Sequence, residues 1–143
     1  MKHILLLALA VLVLSGCATK TTSNYMPPNL PDNSFAIIAH DISPIIAEHN
    51  PAKSISFTLH RDDFGRHLAD DLGQLGYEIV FIGQNEQQSE HQDEIRYTID
   101  WADPGSVYIS LTINNRQRYT RSYTVDQSTL VANKSKVIGV FDD

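Results

Sequence analysis

The side chain with the most distinctive chemistry is the thiol of Cys17, the single cysteine among the 143 residues of the chain. It follows Leu14-Ser15-Gly16, and small residues before a cleavage point let an extended chain enter a peptidase. A lone exposed thiol in an oxidising compartment invites unwanted pairing, and acylation of the sulfur removes that thiol. The pattern therefore favours Cys17 as a modification site, and it leaves no internal disulfide and no cysteine nucleophile for catalysis.

A short apolar segment precedes this cysteine. Lys2 and His3 are followed by eleven apolar residues at 4–14, which would span about 16 Å as a helix. Crossing a bilayer takes roughly 20 such residues, so the segment has the length of a signal-peptide core. With Cys17 it resembles the lipobox of bacterial lipoproteins, in which the thiol receives diacylglycerol before cleavage. We predict a signal peptide at 1–16 and lipidation of Cys17. The alternative is an ordinary secretory signal with a stray cysteine.

Other side chains with catalytic or metal-binding chemistry are sparse. His60, Asp63 and His67 could be metal ligands, but no fixed fourth group accompanies them, and a capping aspartate with two surface histidines is the simpler interpretation. The pairs at 62–63 and 70–71 are adjacent carboxylates that face different directions on a helix, so neither forms an acid–base dyad. The sequence shows no phosphate loop, dinucleotide fingerprint or nucleophile elbow. We expect a protein that is not an enzyme, with no metal, cofactor or small-molecule substrate.

The charge balance argues against polyanionic partners. The chain carries a net charge of −6, and removing Lys2 with the signal peptide makes it −7. Such a chain has no general attraction to nucleic acid or anionic headgroups. Its second half nevertheless concentrates Arg and Tyr, the residue types that dominate protein interfaces. The candidates for partner binding there are Arg116, Arg118, Tyr119, Arg121 and Tyr123. The alternative is that they lie on plain solvated strand faces.

Residues 17–32 have the composition of a flexible, lipidated tether. Ser, Thr, Asn and Pro dominate, and the prolines favour extended conformations. The fifteen residues at 18–32 reach roughly 50 Å at most, which is enough for a domain to search for a partner. Either the segment is only a spacer, or Tyr25, Met26 and Leu30 dock on a partner subunit.

Two helices are predicted in the first half of the domain. Apolar residues follow helical spacing through 33–49, where Pro44 predicts a kink, or a break with a new start near Ser43. Asp62 or Asp63 caps the start of a second helix, and Gly76 is its natural end. Its apolar stripe consists of Phe64, Leu68, Leu72 and Leu75.

Alternating apolar and polar residues predict the strands. The predicted strands cover 54–60, 77–82, 95–101, 107–113 and 119–125, and residues 136–141 could add a short last strand. The polar segment 83–93 is expected to be an exposed loop. The result is an α+β periplasmic domain at 33–143, in the order α-β-α-β-β-β-β, with two helices packed on a mostly antiparallel sheet.

The whole pattern resembles the conjugal-transfer lipoproteins of the TrbH family. The resemblance rests on the lipobox, on Asp63-Phe64-Gly65 through Gly76-Tyr77, and on the strands YISLTI and RYTRSYTV around a tight turn. It implies a structural subunit of a conjugative type IV secretion apparatus, in the outer-membrane core complex, that binds larger periplasmic subunits. Ala18, where an aspartate would resemble an inner-membrane retention signal, favours the outer membrane.

Two other classes of function fit the same features. One is an envelope lipoprotein that regulates or escorts cell-wall enzymes. The other is a periplasmic enzyme or ligand-binding protein, which would require a concave pocket with convergent polar groups near His60 and His67.

Overall fold

The computed structural model describes residues 24–52, 54–82 and 92–140, which form two helices and one six-stranded sheet. The helices are α1 (Ser34–His49) and α2 (Asp63–Gln74). The strands are β1 (Ser56–His60), β2 (Glu78–Ile82), β3 (Gln92–Asp103), β4 (Ser106–Ile113), β5 (Gln117–Asp126) and β6 (Thr129–Val140). The predicted signal peptide, Cys17 and most of the predicted loop at 83–93 lie outside the described residues.

Helix α1 buries one side against the sheet. Ile38, Ile42 and Ile46 recur every four residues and are almost fully buried. The helix continues through Pro44 to His49, so it contains no break near Ser43. Pro44 has no N–H for the carbonyl of His40, but both residues are exposed, and water can satisfy that carbonyl.

Helix α2 has a side-chain cap at its start and a glycine stop at its end. The Asp62 carboxylate accepts a hydrogen bond from the Gly65 N–H at 2.8 Å. At the other end Gly76 adopts φ 95°, and the Tyr77 N–H donates to the Leu72 carbonyl at 3.1 Å. This arrangement satisfies the last carbonyls of the helix, as the position of Gly76 in the sequence predicts.

The six strands lie in the order β2-β1-β3-β4-β5-β6. The pairs from β3 to β6 are antiparallel, whereas β1 pairs in parallel with both β2 and β3. The predicted α+β class and mostly antiparallel sheet are confirmed. The parallel β1–β2 pair has a simple origin, because α2 connects the two strands and returns the chain to the same end of the sheet.

The two faces of the sheet differ in character. Tyr97, Leu111 and Tyr119 form one row across β3, β4 and β5, and all three are buried beneath the helices. The adjacent row on the opposite face is polar and includes Thr112 and Arg118. The core therefore lies between the helices and one face of the sheet.

The last strand is longer than the short strand expected at 136–141. A turn at Gln127, which has φ 56°, leads directly into β6 at Thr129. The pairing with β5 shifts register between Arg121 and Tyr123, so β6 contains extra residues there. Polar residues at 133–136 interrupt the apolar alternation, which explains why the sequence pattern indicates only the final part.

Candidate interaction surfaces

The segment that leads from the predicted anchor into the domain joins the sheet at Tyr25. The Tyr25 N–H donates to the Tyr97 carbonyl at 3.3 Å, and the Ile99 N–H donates to the Tyr25 carbonyl at 2.9 Å. This parallel bridge occupies the edge of β3 beyond Glu94, where the pairing with β1 ends. The sheet thus binds the backbone of the leading segment eight positions after Cys17.

A single carboxylate, Asp62, ties this segment to the rest of the fold. Besides capping α2, it accepts a short hydrogen bond from the Tyr97 hydroxyl and a longer one, at 3.5 Å, from the Asn24 amide. Asn24 also accepts from the Tyr97 N–H at 3.0 Å. Burial raises the pKa of Tyr97, and the hydrogen bond and charge of Asp62 raise it further. The link keeps the start of α2, the centre of β3 and the leading segment together.

The three partner-binding candidates of the leading segment occupy different environments. Met26 and Leu30 are partly buried against the core of their own domain. The side chain of Tyr25 is 48% exposed although its backbone is bound. The structure therefore gives Met26 and Leu30 an internal contact, and it leaves Tyr25 with a surface that a partner can reach. A groove of about 600 Å³ separates this segment from α2, and His67 and Asp63 are among its lining residues.

The partner-binding candidates on and beside β5 also include both internal and exposed side chains. Tyr123 is fully buried, and its hydroxyl donates to Asp41 of α1 at 3.0 Å. Arg121 donates to the same carboxylate from Nε at 2.7 Å and from Nη2 at 3.1 Å. These hydrogen bonds and the charge of Asp41 raise the pKa of the Arg121 guanidinium. Both side chains therefore link the sheet to α1 in this structure.

Tyr119 also belongs to the interior, whereas the remaining two arginines do not. The Tyr119 hydroxyl accepts from the Asn50 amide at 3.1 Å, and this amide donates to the Ile46 carbonyl at 2.9 Å at the end of α1. Arg116 and Arg118 are exposed and can contact another protein. Sequence reasoning missed Asp41 and Asn50; the only available signal was that each is a polar residue on or beside an apolar helix.

Of the three candidate metal ligands, His60 lies on a different surface from Asp63 and His67, which line the same groove. Strand alternation places His60 on the face of β1 that points away from α2, where its Nε2 is 3.8 Å from a Glu94 carboxylate oxygen. Asp63 instead pairs with Arg66 at the exposed start of α2. Among the described residues, no group of His, Cys, Asp and Glu side chains is placed to hold a metal ion.

The outer edge of the sheet is a third surface. Strand β6 is the last strand, and its side chains Val137 and Val140 are each 65% exposed. Beside β6, an open and mainly apolar groove of about 710 Å³ runs along α1. Its lining residues are Ala36, Ile37, His40, Asp41, Pro44 and Ala132.

Comparison with known protein families identifies the chain. Residues 18–138 match the family described as conjugal transfer protein TrbH, which covers most of the 143 residues. This chain belongs to the TrbH family. Residues 1–18 match the prokaryotic membrane lipoprotein lipid attachment site, which includes Cys17. Comparisons with curated proteins and with solved structures find no match.

The TrbH match covers every helix of the described structure and nearly all of the sheet. It extends from the residue after Cys17 to Ile138 in β6. The attachment site makes this TrbH protein a membrane-anchored bacterial lipoprotein related to conjugation. Within the ranges that the structure describes, neither helix combines the length and apolar character needed to span a membrane.

Proposed function

We propose that this TrbH protein is a structural and contact subunit of the outer-membrane core complex in a conjugative type IV secretion apparatus. The observation that supports this proposal most directly is the succession of two matches along one chain. A lipid attachment site covers residues 1–18, and a conjugal transfer family begins at residue 18. The chain therefore combines an anchor with a conjugation-specific domain.

The anchor accounts for membrane attachment. Each buried methylene contributes about 0.8 kcal/mol, and two chains hold a protein stably where one does not. A diacylated Cys17, with acyl chains such as palmitate, needs no apolar protein surface to stay in the membrane. Ala18 favours the outer membrane, whose inner leaflet would present the domain to the periplasm.

The leading segment sets how far the domain lies from that membrane. Eight residue steps separate Cys17 from Tyr25, and such a length of chain spans at most about 28 Å. Because Tyr25 is bonded to β3, the domain is held closer than a tether of residues 17–32 would allow. A short connection suits a subunit that fastens larger periplasmic proteins to the bilayer.

The polar network of the described domain supports a holding role over a catalytic one. Asp62 is used to cap α2 and to bind Tyr97, and Asp41 is used to bind Arg121 and Tyr123. These carboxylates link secondary-structure elements to each other. We therefore propose that the protein acts by contact and carries out no reaction.

The proposal is tested by purification from detergent-solubilised envelopes of mating cells. The wild-type protein should incorporate labelled fatty acid, fractionate with the outer membrane and recover secretion-channel subunits. Cys17→Ser should lose the label and the fractionation, whereas the control Ser15→Ala, which keeps the cysteine, should retain both.

Two results would contradict the proposal. Recovery of cell-wall enzymes in place of channel subunits would support the alternative of an envelope regulator. A wild-type protein that carries no fatty acid would remove the anchor on which the assignment depends.

A further inference from the structure

The outer edge of β6 combines a long free strand with exposed apolar side chains. Among the described strands, β6 pairs only with β5, and it extends over 12 residues. Val131, Val137 and Val140 are exposed along it. A long exposed edge of this kind is a template for pairing with another chain, and proteins usually shorten or cover it.

The groove along α1 lies beside this edge. Ala132 of β6 forms part of its lining, and the register pairs Ala132 with Tyr123 on the helix-facing side of the sheet. A strand added to β6 would run about 4.8 Å from it. Alternate side chains of that strand would point toward α1 and enter the space between Ala36, Pro44 and Ala132. The edge can thus supply main-chain hydrogen bonds, and the groove can supply side-chain pockets, which together define recognition by strand addition.

The charge of this edge is opposite to that of the protein. The chain as a whole has a net charge of −6, yet β6 contains Lys134 and Lys136 and no acidic residue. Lys136 lies 4.0 Å from a carboxylate oxygen of Glu48 and remains 42% exposed, and Lys134 is exposed. Opposite charges across paired strands are favourable, so the fitting occupant carries carboxylates.

We propose that the β6 edge is the docking site for an extended, acidic segment of a different protein, which adds to the sheet as a seventh strand. This inference rests on the proposed function, because it names the surface by which the contact subunit engages its partner. A second copy of the chain is the poorer occupant. An antiparallel pair of β6 edges centred on Ser135 would place Lys134 of one copy opposite Lys136 of the other, and like charges directly opposite each other are destabilising.

The experiment uses the full-length lipidated protein in detergent micelles and two short synthetic peptides. One peptide places valine opposite Ala132 and aspartate opposite Lys134 and Lys136, and the other replaces each aspartate by lysine. The aspartate peptide should slow amide hydrogen exchange along β6, and salt should weaken its binding. Lys134→Glu with Lys136→Glu should reduce its affinity about tenfold. The matched control, Arg61→Glu with Arg66→Glu, changes the net charge equally on the other side of the fold and should leave the affinity unchanged.

The groove is tested separately. Ala36→Trp should fill it and weaken peptide binding, whereas Gln74→Trp, at an exposed position on α2, should not. Equal protection by the lysine peptide, or no protection of β6 by the aspartate peptide, would overturn the proposal. Protection that appears without peptide and grows with protein concentration would identify a second copy as the occupant, and would also overturn it.

The outcomes separate this inference from the proposed function. Suppose that the aspartate peptide binds β6 but no channel subunit copurifies with the wild-type protein; the proposed function then fails and the edge proposal stands. Suppose instead that channel subunits copurify equally with the wild type and with the Lys134→Glu, Lys136→Glu variant; the edge proposal then fails and the proposed function stands.

Discussion

Arg121 of β5 and Asp41 of α1 form a two-point ion pair across 80 positions of sequence, with Nε donating to Oδ2 at 2.7 Å and Nη2 donating to Oδ1 at 3.1 Å. The Arg121 side chain is only 14% exposed, so little water is available to replace the carboxylate. Tyr123 donates to the same group at 3.0 Å. Asp41 therefore holds α1 to the sheet, next to the groove between α1 and β6.

Removing this carboxylate should destabilise the domain. In Asp41→Ala, Arg121 keeps its charge in a poorly solvated position, and Tyr123 loses its acceptor. We expect a loss of about 2–3 kcal/mol in the free energy of unfolding, measured by urea denaturation. Asp70→Ala, at an exposed position on α2, is the control and should change stability by less than about 0.5 kcal/mol. Asp41→Ala combined with Arg121→Leu should cost less than the sum of the two single variants, and additivity would contradict a direct interaction.

Gly65 should tolerate no side chain, because α2 starts close to the end of β1. A Cβ at this position would lie 2.1 Å from the carbonyl oxygen of His60, which is backbone and cannot rotate away. We expect Gly65→Ala to lower the melting temperature and to cost about 1–3 kcal/mol through overpacking. Gly73→Ala is the matched control, since a Cβ there meets nothing within 4 Å. It should stabilise the helix by up to about 1 kcal/mol, and equal effects of the two substitutions would contradict this packing.

Stability should fall at alkaline pH because of two buried tyrosines. Burial, together with Asp62, raises the pKa of Tyr97, and burial together with Asp41 raises the pKa of Tyr123. The folded state retains both protons at a pH where the unfolded chain releases them, so this stability is complete below about pH 10 and is lost above it. In that range the free energy of unfolding should fall by about 1.4 kcal/mol per pH unit for each tyrosine.

Phenylalanine variants show which tyrosines cause this loss of stability at alkaline pH. Tyr97→Phe and Tyr123→Phe each remove a hydrogen bond, so their absolute stabilities will drop at every pH. The informative quantity is the dependence of the unfolding free energy on pH between about 10 and 11. It should become shallower in each variant, and a slope equal to that of the wild type would show that the tyrosine is ionised in the folded state.

Leu68→Asp should unfold the domain. Leu68 is fully buried on the inner side of α2, and an unpaired charge there costs several kcal/mol against a typical total stability of about 5–15 kcal/mol. The control is His67→Asp, which introduces the same side chain at the neighbouring position, where it faces solvent. Circular dichroism should show a folded His67→Asp protein and an unfolded Leu68→Asp protein. A cooperative melt for Leu68→Asp near that of the wild type would mean that the α2 face is assigned incorrectly.

Local patterns were sufficient to predict the helices and most of the strands of this fold, although they indicated only the final part of β6. The spacing of Phe64, Leu68 and Leu72 marks a helix with one buried side, and Gly76 supplies the conformation that ends it. The alternation of apolar and polar residues identified β3, β4 and β5, because successive side chains on a strand point to opposite faces. The anchor was equally local, since the apolar run and Cys17 are contiguous.

Alternation did not distinguish an interior residue from an interface residue. Tyr119, Arg121 and Tyr123 share one face of β5, and an exposed binding face would show the same spacing. Their inward orientation depends on α1, which covers that face and provides Asp41 and Asn50 as polar partners. Those partners lie far away in sequence, so no periodic pattern reveals them.

The sequence by itself determined the two helices, most of the strands and the lipid anchor, because each of these depends on residues within a few positions of each other. Only the tertiary structure decided that β3 pairs with β1, that Tyr25 completes the same edge of β3, and that the outer edge of β6 has no neighbour among the described strands. These choices depend on which backbone edges come together. Main-chain N–H and C=O groups are the same at nearly every position, so side-chain identity does not encode them directly.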